Sequence, residues 1–181
     1  MEAGFAHQAR DQKGNMVSRE DYREGMARLA AAVNVITTDG PAGPGGFTAS
    51  AVCSVTDDPP TLIVCVNLAS RQNEIIRTNQ VLCVNTLSIG QGDIAALFST
   101  KELPIAERFA AGRWSTLATG SPVLDGAIAA FDCRVVERLE RGTHSVIFCE
   151  VQAVRVRTDG QPLLYLDRRY SGIGAPLAEL D

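Results

Sequence analysis

The chain has 181 residues, of which 45% are hydrophobic and 21% are charged, a composition that suits one folded domain with a buried core. Its formal net charge of -4 argues against nucleic acid or an anionic membrane as the main partner, because both are bound through basic surfaces. No apolar run approaches the ~20 residues of a membrane span, and the N-terminus lacks the apolar segment of a signal peptide. We therefore expect a cytoplasmic protein that binds neither nucleic acid nor membrane.

The cysteines and histidines do not form a pattern that predicts a disulfide or a metal site. The number of cysteines is odd, and no pair of them has CxxC spacing, so we expect buried free thiols in a reducing compartment. The two histidines, His7 and His144, are far apart in sequence, which predicts no metal centre. The five cysteines are Cys53, Cys65, Cys83, Cys133 and Cys149.

The N-terminal part of the chain divides at Ser18. Residues 1–17 are polar and weakly patterned, so we expect a flexible arm followed by one domain over residues 18–181. Ser18 can cap a first helix, and Asp21 then occupies the third helical position, as in a capping box. The apolar residues at helical spacing that follow are Tyr22, Met26, Leu29 and Ala30.

A hairpin with a glycine-rich tip is predicted next. Residues 33–38 and 47–55 are typical of strands. Residues 40–46 between them are all glycine, proline or alanine, which predicts a loop. Neither GxxxxGK(S/T) nor GxGxxG is present, and a strand follows the glycines, so we do not interpret this loop as a P-loop or a Rossmann turn. Residues 57–60 then interrupt the chain with Asp-Asp-Pro-Pro.

The remaining elements alternate between buried strands and short helices. Strand 61–67 has few polar residues, which predicts that both of its faces are covered. Ser70 is expected to cap a helix that runs to residue 79 with Ile75 and Ile76 facing inward. The further predicted elements are strand 81–87, helices 93–98 and 105–111, strands 129–139 and 145–156, and a short strand 163–166.

Strands outnumber helices in this reading, and most neighbouring strands have no helix between them. Parallel sheets require such crossover helices, whereas antiparallel ones do not. The predicted fold class is therefore mainly β (α+β), as a closed antiparallel barrel with short peripheral helices, rather than a doubly wound sheet.

Two segments could form a ligand site. Ser70 and Arg71 open a helix directly after a buried strand, where free backbone N–H groups attract an anion; an ordinary N-cap with a solvated arginine is the alternative. Thr48-Ala49-Ser50-Ala51 has small side chains that would let a flat ligand approach the backbone, with Thr48 and Ser50 on one face; a tightly packed strand is the alternative.

His144 follows Gly142-Thr143 at a turn between two long strands, and it is either a partly exposed turn residue or a ligand contact. No carboxylate pair is arranged for hydrolysis. From the residues alone, we expect an α+β barrel in which these two segments could form a phosphate-binding and flat-ring-binding site.

The order of several short motifs resembles that of a known family. GFTASAVCSV at residues 46–55, ERF at 107–109 and GTH at 142–144 are among them, and the likeness runs from Asp21 to Tyr170. The chain resembles the short-chain flavin reductases, the reductase components of two-component flavin monooxygenases such as those for 4-hydroxyphenylacetate. Asn34 replaces a threonine of many relatives, as in the pyrimidine-utilisation subgroup, to which the pattern is most similar.

This resemblance implies an FMN-binding split β-barrel that forms a homodimer, with each flavin near the subunit interface. It implies hydride transfer from NADH to FMN or FAD, and delivery of free reduced flavin to a separate flavin-dependent monooxygenase. The implied flavin contacts are Asn34, Thr48, Ala49, Ser50, Asn67, Ser70, Arg71, Asn85 and Thr86, and the implied residues at the nicotinamide side are His144 and Tyr170.

Two other functions remain open at this stage. A split barrel of this kind can be a non-catalytic flavin carrier or sensor, or it can be an oxidase of the pyridoxamine-phosphate-oxidase type that acts on its own organic substrate. The resemblance does not choose between FMN and FAD.

Overall fold

The computed structural model describes residues 17–173. The predicted arm over residues 1–17, except for its last residue, and the end of the predicted domain after residue 173 lie outside this range. The helices are α1 (Arg19–Ala27), α2 (Arg71–Asn79), α3 (Gly92–Ser99) and α4 (Ile105–Ala110). The strands are β1 (Ala31–Ala32), β2 (Asn34–Thr38), β3 (Gly45–Ala49), β4 (Val52–Asp57), β5 (Pro60–Asn67), β6 (Val81–Thr86), β7 (Trp114–Ser115), β8 (Val123–Leu124), β9 (Ala129–Arg141), β10 (His144–Val156), β11 (Leu164–Leu166) and β12 (Arg169–Ser171).

Seven strands form one antiparallel sheet in the order β3-β2-β6-β9-β10-β5-β4. The two edge strands, β3 and β4, are consecutive in the chain and are separated only by Ser50 and Ala51. Because two residues span at most ~7 Å, the sheet must curl until its edges meet. Ala51 also accepts a hydrogen bond from the Cys65 N–H at 3.1 Å, which fastens the linker to β5. The mainly β class is confirmed, in the form of a barrel whose hydrogen bonding is split between β3 and β4.

The core lies on both sides of β2, since all five of its residues are buried. Ile36 faces the barrel interior with residues such as Leu82 and Ile147, whereas Val35 faces a second cluster beneath α3. Successive side chains of a strand point to opposite faces, so a strand with apolar residues on both is buried on both. The second cluster contains Phe98, whose ring lies 5.3 Å from that of Phe109.

Helix α1 begins as predicted but does not pack as an amphipathic helix usually does. Ser18 caps it by accepting from the Asp21 N–H at 3.0 Å, and the Ser18 hydroxyl donates to the Asp21 carboxylate at 2.7 Å. No residue of α1 is buried, and Tyr22 and Leu29 are about 60% exposed. The apolar face predicted for this helix therefore has no cover within the described chain.

Three predictions about strands are wrong in detail. Gly45 and Gly46 lie in β3 rather than in the loop, and the predicted strand 47–55 is two strands, broken at Ser50 and Ala51 where the chain crosses between the sheet edges. Strand β5 is covered on one face only: residues 62, 64 and 66 are buried, whereas residues 61, 63 and 65 are partly exposed because they point away from the barrel interior. Four short strands, β1, β7, β8 and β12, were not predicted.

The five cysteines are all free thiols. Cys83, Cys133 and Cys149 are buried as expected, but Cys65 is half-buried and Cys53 is exposed because it lies on the edge strand β4. Within residues 17–173 there is no cluster of side chains able to hold a metal ion. None of the helices described there is long and apolar enough to cross a membrane.

Candidate ligand groove

A groove of about 840 Å³ lies between β3, the first turn of α2 and the connection from α3 to α4. This volume is within the range of small-molecule and cofactor sites. Seven of the predicted site residues line it, namely Thr48, Ala49, Ser50, Asn67, Ser70, Arg71 and His144. A smaller hollow of about 400 Å³ beside Arg113 and Asp125 contains none of them.

The first turn of α2 forms one end of the groove. Ser70 is the N-cap, and its hydroxyl accepts from the Gln72 N–H at 3.3 Å. Asn67 accepts from the Ala69 N–H at 2.8 Å and so shapes the loop that leads into the helix. Arg71, as the first helical residue, has no acceptor for its N–H within the helix, and its exposed guanidinium forms no ion pair with residues 17–173. This end is suited to an anion.

The end of β3 forms the small-residue wall. The Thr48 hydroxyl donates to the Ala95 carbonyl at 2.6 Å, so it anchors α3 and is not available to a ligand as a donor. Ala49, Ser50 and Ala51 continue along the groove with short side chains, and Ser50 is exposed. A planar ligand can therefore approach the backbone here, as the composition of the segment predicts.

Close packing behind this wall explains the two glycines of β3. A Cβ atom on Gly45 would lie 2.7 Å from Gln72 Oε1, and one on Gly46 would lie 2.7 Å from Phe98 Cε1. The Gln72 side chain instead accepts from the Gly46 N–H at 2.8 Å and ties α2 to β3. Glycine is needed because two helices approach the same stretch of backbone.

His144 is the first residue of β10 and pairs with Asn67 across the strands. Its ring is exposed, and Nδ1 lies 2.9 Å from Thr143 Oγ1. The histidine thus reaches the groove from a strand end rather than from the turn itself, close to the entrance of α2.

Four predicted ligand contacts are not brought to the groove. Asn34 is 3% exposed; its amide donates to the Ala49 carbonyl at 3.3 Å and its carbonyl accepts from the Thr86 hydroxyl at 2.8 Å. Asn34 on β2 and Thr86 on β6 therefore support the groove wall, which β3 forms, from behind. Tyr170 lies on β12, with its ring 5.9 Å from that of Tyr165 and outside the groove lining.

Asn85 is the fourth, and it is fully buried. Its amide donates to the Val35 carbonyl at 3.1 Å and to the Thr37 hydroxyl at 3.0 Å, and its carbonyl accepts from the Leu124 N–H at 2.7 Å. Asn85 therefore joins three strands in the core, and its polar groups have partners there without a ligand.

Two arginines near the groove have roles that the sequence did not indicate. Arg108 lines the groove although it is only 7% exposed. Arg138 donates to Asn73 of α2 and, at 3.4 Å, to Ser145, while Asn73 donates to Ser145 at 2.9 Å. Burial lowers the pKa of the Arg138 guanidinium. This network lies behind His144 and the first turn of α2 and holds them together.

The charge of the groove is opposite to that of the chain. Its lining includes the cations Arg71, Lys101 and Arg108 but one carboxylate, Glu102, in a chain whose net charge is -4. A cleft lined by one sign of charge concentrates ligands of the other sign. The residues present therefore fit a ligand with a planar part and an anionic part, as a flavin nucleotide has.

The comparisons with known proteins agree with this geometry. Residues 26–174 match the family model described as flavin reductase like domain. The chain is 56% identical over 159 residues to the FMN reductase (NADH) RutF of Stutzerimonas stutzeri strain A1501, covering 88% of this chain and 91% of the relative.

Solved structures also resemble it. A Haemophilus somnus 129PT protein has a TM-score of 0.84 at 42% identity, covering 87% of this chain and 100% of the other. The styrene monooxygenase flavin reductase SMOB of Pseudomonas putida S12 has a TM-score of 0.78 at 27% identity, covering 87% and 99%.

Proposed function

Since the chain belongs to the flavin reductase like domain family, we propose that it is an NADH-dependent flavin reductase, which reduces a flavin in the groove between β3 and α2. Curated relatives named FMN reductase (NADH) support FMN as the flavin and NADH as the reductant. The reduced flavin is released to a partner flavin-dependent monooxygenase, a role supported by the likeness to the styrene monooxygenase reductase.

The observation that carries this proposal is the placement of an anion site and a small-residue wall in one groove. Arg71 and the start of α2 would hold the flavin phosphate, with Ser70 and Asn67 at the ribityl chain. Ala49, Ser50 and the backbone beside Thr48 would contact the ring system. Direct flavin contacts from Asn34, Asn85 and Thr86 are not part of this proposal, because Asn34 and Thr86 bind each other and the polar groups of Asn85 have partners in the core.

The chemistry of hydride acceptance belongs to the flavin ring itself. The protein residues bind, orient and exclude water, and no protein acid or base is needed for the hydride. His144 is placed to position the nicotinamide because it is exposed at the groove and is held by β10 opposite Asn67. Orientation of two reactants in one site can account for a large part of such a rate enhancement.

Release of the product fits the groove as well. Arg71 is the single cation at the start of α2, so the phosphate is bound with moderate affinity and reduced flavin can leave.

A homodimer remains part of the proposal. It is supported by the uncovered apolar residues of α1, which a second copy of the chain could bury.

The test is NADH oxidation by the pure protein with FMN, FAD or riboflavin, followed by absorbance in the absence of oxygen. We expect turnover with FMN at a rate proportional to protein concentration. Binding of FMN without NADH oxidation would instead favour a flavin carrier. Turnover of a small organic amine with tightly held flavin and no NADH would favour an oxidase.

A further inference from the structure

Arg108 is a buried cation with no carboxylate partner among residues 17–173. It lies in α4, is 7% exposed, and forms no ion pair with any residue in the described part of the chain. A buried charge is costly unless hydrogen bonds compensate it. The compensation here comes from backbone carbonyl groups, and the identity of those carbonyls links Arg108 to the groove.

Three carbonyl groups accept from this one guanidinium. Nε donates to Leu103 at 2.9 Å and Nη2 donates to Lys101 at 3.1 Å, both in the α3–α4 connection. Nη1 donates to Gly46 of β3 at 3.4 Å. Arg108 thus bonds the connection to the strand that continues into Ala49 and Ser50.

The α3–α4 connection is itself one wall of the groove. Residues 101–104 all line it, and they have no regular secondary structure, so they have no helix or strand ladder to fix them. Lys101 brings an exposed positive charge to this wall. The bonds from Arg108 fix two of the carbonyls of the wall and set its distance from β3.

We infer that Arg108 is a positioning residue that holds the Lys101–Pro104 wall against β3 and so sets how strongly the groove retains flavin. The inference rests on the proposed function, because it takes flavin to be the ligand. Arginine is required at this position since its rigid fork of five donors can reach three carbonyls, whereas a lysine ammonium donates from a single point.

The experiment compares Arg108→Met and Arg108→Lys with the native protein and with Arg134→Met, a matched control on β9 whose arginine is exposed. Backbone hydrogen exchange is measured by mass spectrometry, and FMN KM and kcat are measured with NADH. We expect faster exchange at residues 100–103 in both Arg108 variants, with an FMN KM raised about tenfold or more and a kcat within about threefold. Arg134→Met should leave all of these unchanged.

Several results would overturn the inference. These are unchanged loop exchange or unchanged FMN KM in Arg108→Met, full restoration by Arg108→Lys, or a fall in kcat at constant KM, which would make Arg108 a catalytic residue. If Arg108→Met does not fold, Arg108→Lys carries the comparison. The native protein gives a third test, because FMN should slow exchange at residues 100–103, and no change there also overturns the inference.

These outcomes are separable from failure of the proposed function. A native protein that binds FMN and protects the loop, but oxidises no NADH, would remove the reductase and keep the positioning role. A native protein that turns over FMN normally while Arg108→Met leaves the loop and KM unaltered would do the opposite.

Discussion

The Thr86 hydroxyl donates a hydrogen bond to the Asn34 side-chain carbonyl at 2.8 Å, and the same Asn34 amide donates to the Ala49 carbonyl at 3.3 Å. Two side chains expected at a ligand are therefore bound to each other, on the first and second strands behind Ala49, the residue that lines the groove. Asn34 has no second partner for its carbonyl among the described residues, so the Thr86 hydroxyl is needed to satisfy it.

Replacement of that hydroxyl by a methyl group should cost stability. In Thr86→Val the Asn34 carbonyl remains buried without a donor, and we expect the free energy of unfolding to fall by about 1–3 kcal/mol. Urea denaturation followed by circular dichroism measures this. Thr158→Val, at an exposed position, is the control and should change the free energy by less than about 0.5 kcal/mol. Equal stabilities of the two variants would show that the hydrogen bond is not needed.

The same small change has opposite effects at two glycines. In Gly46→Ala the new Cβ would lie 2.7 Å from Phe98 Cε1 and 3.1 Å from the Ile36 carbonyl, so strand or ring must move, at a cost of about 1–3 kcal/mol. In Gly25→Ala nothing lies within 4 Å, and the alanine should stabilise α1 by about 0.5–1 kcal/mol. Thermal unfolding of both variants tests the pair, and a Gly46→Ala protein as stable as the native one would contradict the packing argument.

The sequence predicted elements that depend on local chemistry. The cap at Ser18, the cap at Ser70 and the hairpin around the glycine-rich loop follow from residues close together in the chain, and the structure confirms them. The anion end and the small-residue wall were also visible, because each is a single short segment. Their meeting in one groove needed the family resemblance or the structure.

What could not be predicted depends on contacts between distant residues. Ser50 and Ala51 read as the middle of one strand, because side-chain periodicity does not reveal that the chain changes partner there from β2 to β5. Asn85 and Arg108 are polar residues whose partners lie far away in sequence, so nothing near them distinguished a buried network from a ligand contact.

Burial should make the thiols react at very different rates. Burial raises the pKa of the Cys149 thiol to about 12 and raises the pKa of Cys65, Cys83 and Cys133 as well. Because the thiolate is the reactive form, we expect iodoacetamide at neutral pH to label exposed Cys53 first, half-buried Cys65 more slowly and the other three only after unfolding. Mass spectrometry of timed samples measures this order, and early labelling of Cys149 would contradict the buried site.

The same shift predicts a dependence of stability on alkaline pH. The folded-state pKa of Cys149 is raised from 9.0 to about 12, so its contribution is fully present below pH 9 and is lost as pH rises toward 12. About one pH unit above the ordinary thiol pKa of 9.0, ionisation of this thiol in the unfolded state should lower the free energy of unfolding by about 1 kcal/mol. Cys149→Ala should start less stable but lose less between pH 8 and pH 10. A parallel loss in both proteins would exclude this thiol as a cause.

Arg71 and Arg77 give the sharpest comparison for the anion end of the groove, since both are exposed arginines of α2 and only Arg71 lines the groove. Arg77 is paired with Glu74 in the last turns of the helix.

In Arg71→Met we expect FMN to bind about ten- to a hundredfold more weakly, because a charge-assisted hydrogen bond to the phosphate is lost. Riboflavin, which has no phosphate, should bind equally to both proteins. Titration of flavin fluorescence measures both ligands, with Arg77→Met as the control. If Arg71→Met weakened riboflavin as much as FMN, the arginine would be acting on the ring or the fold, and the phosphate would have to lie elsewhere in the groove.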